Sequence, residues 1–184
     1  MSNIKYRRDI ESSINDVLEI LFEDQEKMSF VISQGGFEKY FQIEIANGLH
    51  KKGLDVNVEG VERVDIVINN SGKPAAVIEI GAGFLSQKHQ TSKPGLDWRK
   101  FKEKKVMKNE DLRRAQYYSL MLLAYRSGEY PLPSNRNLNY SLVDFFEIDK
   151  ARWKRLGFER LMSKEYVGRG LGLSVILLSP CDKF

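Results

Sequence analysis

The sequence predicts an α/β fold in which helices flank a mixed central β-sheet, and three observations carry that expectation. Apolar residues recur at helical spacing in two early segments, Ile10 to Phe22 and Phe37 to Leu49. Short runs rich in Val and Ile then flank the turn formers Asn69-Asn-Ser-Gly72, the pattern of a β-hairpin. A further helix-spaced segment precedes a last apolar run, and helix, strands, helix, strands is the order of a sheet covered by helices. With 184 residues, 42% of them apolar, the chain is long enough to bury one core and is expected to be a single domain over residues 1–184.

Each element follows from its own pattern. Ile10, Ile14, Val17, Leu18, Leu21 and Phe22 place an amphipathic helix over about residues 9–25. A second helix runs from Phe37 to Lys52 and stops at Gly53, the residue type favoured just past a helix end. Val56 to Val58, Val61 to Ile68 and Ala75 to Gly81 read as strands. Leu112, Ala115, Gln116, Ser119, Leu120 and Leu123 predict a third helix over about 109–127. The tail is expected to hold a strand near Leu142 to Ile148, a short helix near Ala151 to Leu161 and a strand from Leu173 to Leu178, within a C-terminal part of strands and basic residues at 140–184.

Charge narrows the function classes. Between Ser86 and Arg114 stand ten basic residues, Lys88, Lys93, Arg99, Lys100, Lys102, Lys104, Lys105, Lys108, Arg113 and Arg114, against four acidic ones, a local +6 in a chain whose total is +4. A second basic stretch runs from Lys150 to Gly170. With Trp98, Tyr117, Tyr118, Trp153 and Tyr166 in or beside these stretches, the pattern suits a phosphate backbone and unstacked bases, so a nucleic acid is the expected partner. A solvated lysine-rich face explains the same charges.

No apolar run approaches the ~20 residues that span a bilayer, and the N-terminus lacks the apolar core of a secretion signal, so a cytoplasmic protein is expected. Cys181 is the lone cysteine and His50 and His89 the only histidines, so a metal would have to be held by carboxylates. There is no Gly-x-Ser-x-Gly elbow. Gly168-Arg-Gly170-Leu-Gly172 lacks the spacing and the Lys-Ser/Thr ending of a phosphate loop and is read as a turn.

Three carboxylates fall where apolar contacts are expected. On a wheel of the second helix, Phe41, Ile45, Ala46 and Leu49 define the apolar arc, and Glu38 and Gln42 lie inside it. Asp65 alternates with Val64 and Ile66, and Glu79 alternates with Ile78 and Ile80. If the two strands pair, Asp65 and Glu79 point to one side, toward the helix that carries Glu38. Burying such groups unpartnered costs several kcal/mol each, which Mg2+ would relieve through oxygen ligation. Structural salt bridges to Arg63, Arg113 or Arg114 are the alternative.

The runs Phe37-Glu38-Lys-Tyr-Phe41-Gln42, Glu62-Arg63-Val64-Asp65-Ile-Val-Ile and Ala76-Val77-Ile78-Glu79-Ile80-Gly81 together resemble the PD-(D/E)xK nuclease superfamily. The likeness covers about residues 36–125. It implies a restriction-endonuclease-like sheet and a Mg2+-dependent (or Mn2+-dependent) deoxyribonuclease of the restriction-endonuclease type, with DNA as its partner, and it does not choose among restriction, recombination and mobile-element settings. By that resemblance Glu38, Asp65, Glu79 and the carbonyl of Ile80 would be metal ligands, and Gln116 would come from the family's later helix. Where the family carries a lysine two residues after the Glu, this chain has Gly81. Either the lysine has migrated, with Lys88, Lys105, Lys108, Arg113 and Gln116 as candidates, or the domain binds DNA without cutting it, or the glycine is an engineered replacement. A homodimer is a further expectation, for which Leu173 to Leu178 could supply an edge strand unless it is buried.

Overall fold

In the computed structural model, residues 2–33, 37–84, 98–125, 154, 157–167 and 172–181 are described. The chain opens with α1 (Ser2–Glu23), α2 (Gln25–Ser33) and α3 (Phe37–Lys51). β1 (Asp55–Val58), β2 (Ile66–Asn70) and β3 (Lys73–Phe84) follow. A helical segment over residues 98–108, here α4, contains a π-helical turn at Phe101–Lys105 and ends with Val106–Lys108. After a 3-10 turn at Glu110–Arg114 come β4 (Gln116–Tyr125), β5 (Phe158–Val167) and β6 (Gly172–Pro180).

The six strands form one mixed sheet in the order β1-β2-β3-β4-β6-β5. Among the described strands only β3 and β4 run parallel, which requires a crossover, and α4 lies within that connection. The hairpin from β2 to β3 turns on Ser71 (φ 52°) and Gly72 (φ 74°), two consecutive left-handed residues as a tight hairpin turn demands. Past α3, Gly53 takes φ 81° and its N–H reaches the His50 carbonyl at 2.8 Å, so the helix ends where glycine makes a left-handed residue cheap.

Two apolar layers sandwich the sheet. On one face α1, α2 and α3 bring Ile10, Ile14, Leu18, Phe41, Ile45 and Leu49 against Ile66, Ile78, Ile80, Leu120, Leu122 and Val175. On the other, Trp98, Phe101, Val106 and Leu112 pack against Val64, Val67, Val77, Tyr117, Met121 and Ile176. The strands β3, β4 and β6 are covered on both sides, which explains their near-continuous apolar sequence.

Several expectations change. Of the helix expected over 109–127, the described residues 109–125 are not an α-helix: Leu112, Leu120 and Leu123 also satisfy a 3-10 turn followed by a strand buried on both faces, where periodicity carries little information. Val61–Arg63 is a 3-10 turn, not the start of a strand. The first helix begins earlier, at Ser2, and α2 is an additional helix. Phe158 to Leu161 belongs to β5, not to a short helix. Leu173 to Leu178 lies in β6, between β4 and β5, so it is an interior strand and offers no edge for dimerisation. The strand expected near Leu142 to Ile148 and the glycines at 168–170 lie outside the described residues.

Candidate functional site

The candidate site forms where β2 stops and β3 continues. β2 pairs with β3 only up to Ile66 opposite Ile78, so among the described residues the next amides of β3 on that edge, Ile80 and Ala82, meet no strand. Carboxylates take the strand's place. Asp65 Oδ2 accepts from the Ile80 N–H at 2.7 Å, and Glu38 Oε2 accepts from the Ala82 N–H at 3.1 Å. Glu38 reaches this edge because it sits in the first turn of α3, on the stripe of Phe41, Gln42 and Ile45.

Glu79, buried at 8% exposure, arrives from the other side. Ile78 and Ile80 belong to the layer under α3, whereas Val77 belongs to the layer under α4, and Glu79 alternates with the isoleucines. It therefore points toward α4, not toward α3 as the sequence suggested. There its Oε1 accepts from the ammonium of Lys105, which also donates to the Arg63 carbonyl at 3.3 Å. The two side chains are 20% and 11% exposed, so the pair is largely shielded from water.

The π-turn explains how Lys105 gets there. The Val106 N–H bonds to the Phe101 carbonyl, five residues back, and Phe101 and Lys105, four residues apart, share one side of the helix. Phe101 is fully buried against the sheet, stacked beside Trp98 and near Tyr117, so Lys105 is carried toward the sheet with it. Gly81 shares the strand face of Glu79 and has no side chain, and it is on this face that α4 supplies an amine.

Ahead of Asp65 the backbone is strained. Glu59, Glu62 and Arg63 have φ of 49°, 56° and 57°, left-handed values that cost a non-glycine residue about 1–2 kcal/mol each. Gln42, 3% exposed on α3, donates its amide to the Asp65 carbonyl at 2.6 Å, and the Glu59 N–H reaches the same oxygen at 3.0 Å. Lys39 pairs with Glu59 and Lys108 with Glu62 at 3.4 Å.

Burial holds the Asp65 carboxyl above the ordinary aspartate value, and the charge of Glu38 adds to the rise. The Ile80 N–H, the Lys105 ammonium and a hydrogen bond with Glu79 oppose it. Among the described residues, no group of three or more His, Cys, Asp or Glu side chains is drawn together tightly enough to hold a metal ion as it stands. The donor chemistry nonetheless suits a hard cation: Asp65, immediately before β2, and Glu79, on β3, are neighbouring carboxylates, Mg2+ commonly takes one or two carboxylates, and substrate phosphates and water complete its shell.

The structure separates the predicted site residues. Glu38, Asp65, Glu79 and Ile80 meet at one edge of β3. Gln116 does not join them. It pairs with Ala76 at the start of β4, shares the strand face of Tyr118 and Leu120, and its Oε1 accepts from the Tyr118 hydroxyl at 2.8 Å, so it lies on the sheet face opposite Glu79. Among the described candidates, Lys105 is seated on Glu79; Lys88 lies outside the described residues. Lys108 pairs with Glu62, and Arg113 lies by Glu110 at 3.6 Å. Arg63, Arg113 and Arg114, considered as salt-bridge partners of Asp65 and Glu79, are exposed. Sequence reasoning did not single out the role of Gln42, although its place on the apolar arc was the available signal.

Arg99, Lys100, Lys102, Lys104, Lys108, Arg113 and Arg114 are exposed, and Lys88 and Lys93 lie outside the described residues. The aromatics do not serve as a stacking surface for bases: Trp98, Tyr117 and Tyr118 are 7%, 3% and 4% exposed, and Tyr166 stacks on Phe22. Trp153 lies outside the described residues. Lys102 lies over the Trp98 ring, 5.0 Å from its centre. Among the described residues, no helix is long and apolar enough to cross a membrane. Compared with protein-family models, curated proteins and solved structures, the chain matches none.

Proposed function

We propose that this protein is a metal-dependent nuclease of the restriction-endonuclease-like kind that hydrolyses phosphodiester bonds in DNA, and that Lys105 stands in for the lysine missing at position 81. One observation supports the reading: Asp65, just before β2, and Glu79, on β3, lie beside each other with Glu38 on the next β3 amide and a lysine ammonium on Glu79.

In this reading Asp65, Glu79 and the Ile80 carbonyl would hold Mg2+ or Mn2+, with Glu38 adjoining. When bound, the ion supplies polarisation of the scissile phosphate and a more acidic water. Lys105 neutralises charge beside Glu79 and can orient the attacking water or bind a phosphate oxygen. The exposed cations of α4 and the following turn, Arg99, Lys100, Lys102, Lys104, Lys108, Arg113 and Arg114, would hold the DNA backbone, with affinity falling steeply as salt rises.

A second reading has its own support: Asp65 and Glu38 already cap β3 amides, and Lys105 already neutralises Glu79, so the domain could bind DNA without cutting it. Incubation with supercoiled, linear and single-stranded DNA separates the two. Cleavage that needs Mg2+ or Mn2+, stops with EDTA and is lost in Glu79→Ala supports the nuclease. Salt-sensitive binding with no cutting under any of these conditions supports the binding module.

A further inference from the structure

The acids are held by a device that the proposed chemistry does not itself require, and it centres on Gln42. This amide is buried among apolar residues of α3, yet it spends its donor on a single main-chain oxygen, the Asp65 carbonyl, at 2.6 Å. That carbonyl terminates a turn with two successive left-handed non-glycine residues, Glu62 and Arg63, a backbone that persists only when its surroundings impose it. The second restraint comes from the opposite side of the sheet, where Lys105 donates to the Arg63 carbonyl at 3.3 Å. The product of the turn is the placement of the Asp65 carboxylate on the Ile80 N–H at 2.7 Å, where the backbone of β2 would otherwise have continued the ladder.

We infer that Gln42 is a positioning residue: by gripping the Asp65 carbonyl it holds the strained turn at Glu62–Arg63 and thereby keeps the Asp65 carboxylate on the Ile80 amide, beside Glu79. The link to metal binding rests on the nuclease reading, whereas the positioning itself does not. Helix α3 thus contributes to the site twice, once through Glu38 and once, a turn later, through Gln42. Because the grip acts on main chain, it is indifferent to whether Asp65 is an aspartate or an asparagine.

The test uses Gln42→Met, which keeps length and loses the donor, with Gln42→Asn, too short to reach the carbonyl, as a second variant. Amide hydrogen exchange followed by NMR reads the Ile80 N–H directly. Its exchange is expected to speed up about tenfold in either variant, while amides of the β4–β6 ladder keep their wild-type rates. Mn2+ titrated alone is expected to bind about tenfold more weakly, the usual scale for losing a group that orients a metal ligand. Adding Arg63→Gly, which accepts φ near 57° without penalty, is expected to restore both quantities to within about threefold. Unchanged Ile80 exchange in both variants, or acceleration spread evenly over the whole sheet, would overturn the inference, as would failure of Arg63→Gly to rescue. If the wild-type protein binds no Mn2+ but Ile80 exchange still responds and is rescued, the positioning role stands and the metal assignment fails.

Discussion

Replacing Lys105 by methionine tests the site at its shielded ion pair. The substitution keeps the aliphatic stem beside Phe101 and removes the ammonium from Glu79 and from the Arg63 carbonyl. Leaving one partner of a fully buried ion pair uncompensated costs about 3–5 kcal/mol, whereas an exposed pair is worth about 1 kcal/mol or less. With side chains 20% and 11% exposed, this pair belongs nearer the buried limit, and a loss of about 2–3 kcal/mol is expected. For a chain of this size that lowers Tm by about 5–10 °C in EDTA. The deficit should depend on Mg2+. In the wild type a cation at Glu79 must share the carboxylate with an ammonium, and in the variant it need not. Mg2+ at about 100 times its Kd returns ~2.7 kcal/mol, so the Tm gained on adding Mg2+ should be larger in Lys105→Met than in the wild type. Thermal denaturation with and without Mg2+ reads the difference, and cleavage should fall by about 10²–10⁴-fold if the amine serves the attacking water. A variant as stable as the wild type, or one destabilised with an unaltered Mg2+ response, would refute the reasoning that Lys105 and a cation share Glu79.

Further outcomes follow from the same geometry. Asp65 is raised in pKa by burial and by Glu38, so its folded form holds a proton more tightly than the unfolded chain does; the associated stability is present at acid pH and is lost as pH rises through the raised value. Asp65→Asn, which can still accept from Ile80 N–H, should therefore raise Tm of the metal-free protein at pH 7, lose this gain in acid, and abolish metal-dependent cleavage; a Tm below wild type at pH 7 would count against it. Gln116→Ala should leave cleavage at the wild-type rate, because the residue lies on the opposite sheet face, and a drop beyond about tenfold without loss of stability would return Gln116 to the site. Phe41→Ala, at a fully buried position on α3, should cost about 3–5 kcal/mol by denaturant titration. Replacing Arg99, Lys100 and Lys104 by alanine should weaken DNA binding uniformly across sequences and reduce the slope of log K against log salt by roughly 2–3; an unchanged slope would remove α4 from the interface.

Local pattern determined what one stretch of chain could settle by itself. The stripe of Phe41, Ile45 and Leu49 specified α3 because a helix repeats its face every 3.6 residues, and it carried Glu38 and Gln42 to the core side with it. Asn70, Ser71 and Gly72 specified the hairpin because few residues accept consecutive positive φ, and the pairing of β2 with β3 followed. Gly81 marked a departure from the pattern the sequence resembles, and nothing in the sequence singled out Lys105. Tertiary structure decided the rest. Strand β4 has apolar residues on both faces, so its sequence fits a helix as well as a strand, and its partners β3 and β6 select the extended form. The turn at Glu62–Arg63 goes against the local preference of both residues and exists because Gln42 and Lys105 restrain it from two sides of the sheet. The side of Glu79 depends on which helix covers which face, and the meeting of Lys105 with Glu79, 26 residues apart, depends on a crossover and a π-turn. Such contacts are set by packing between distant segments, and no periodicity within either segment encodes them.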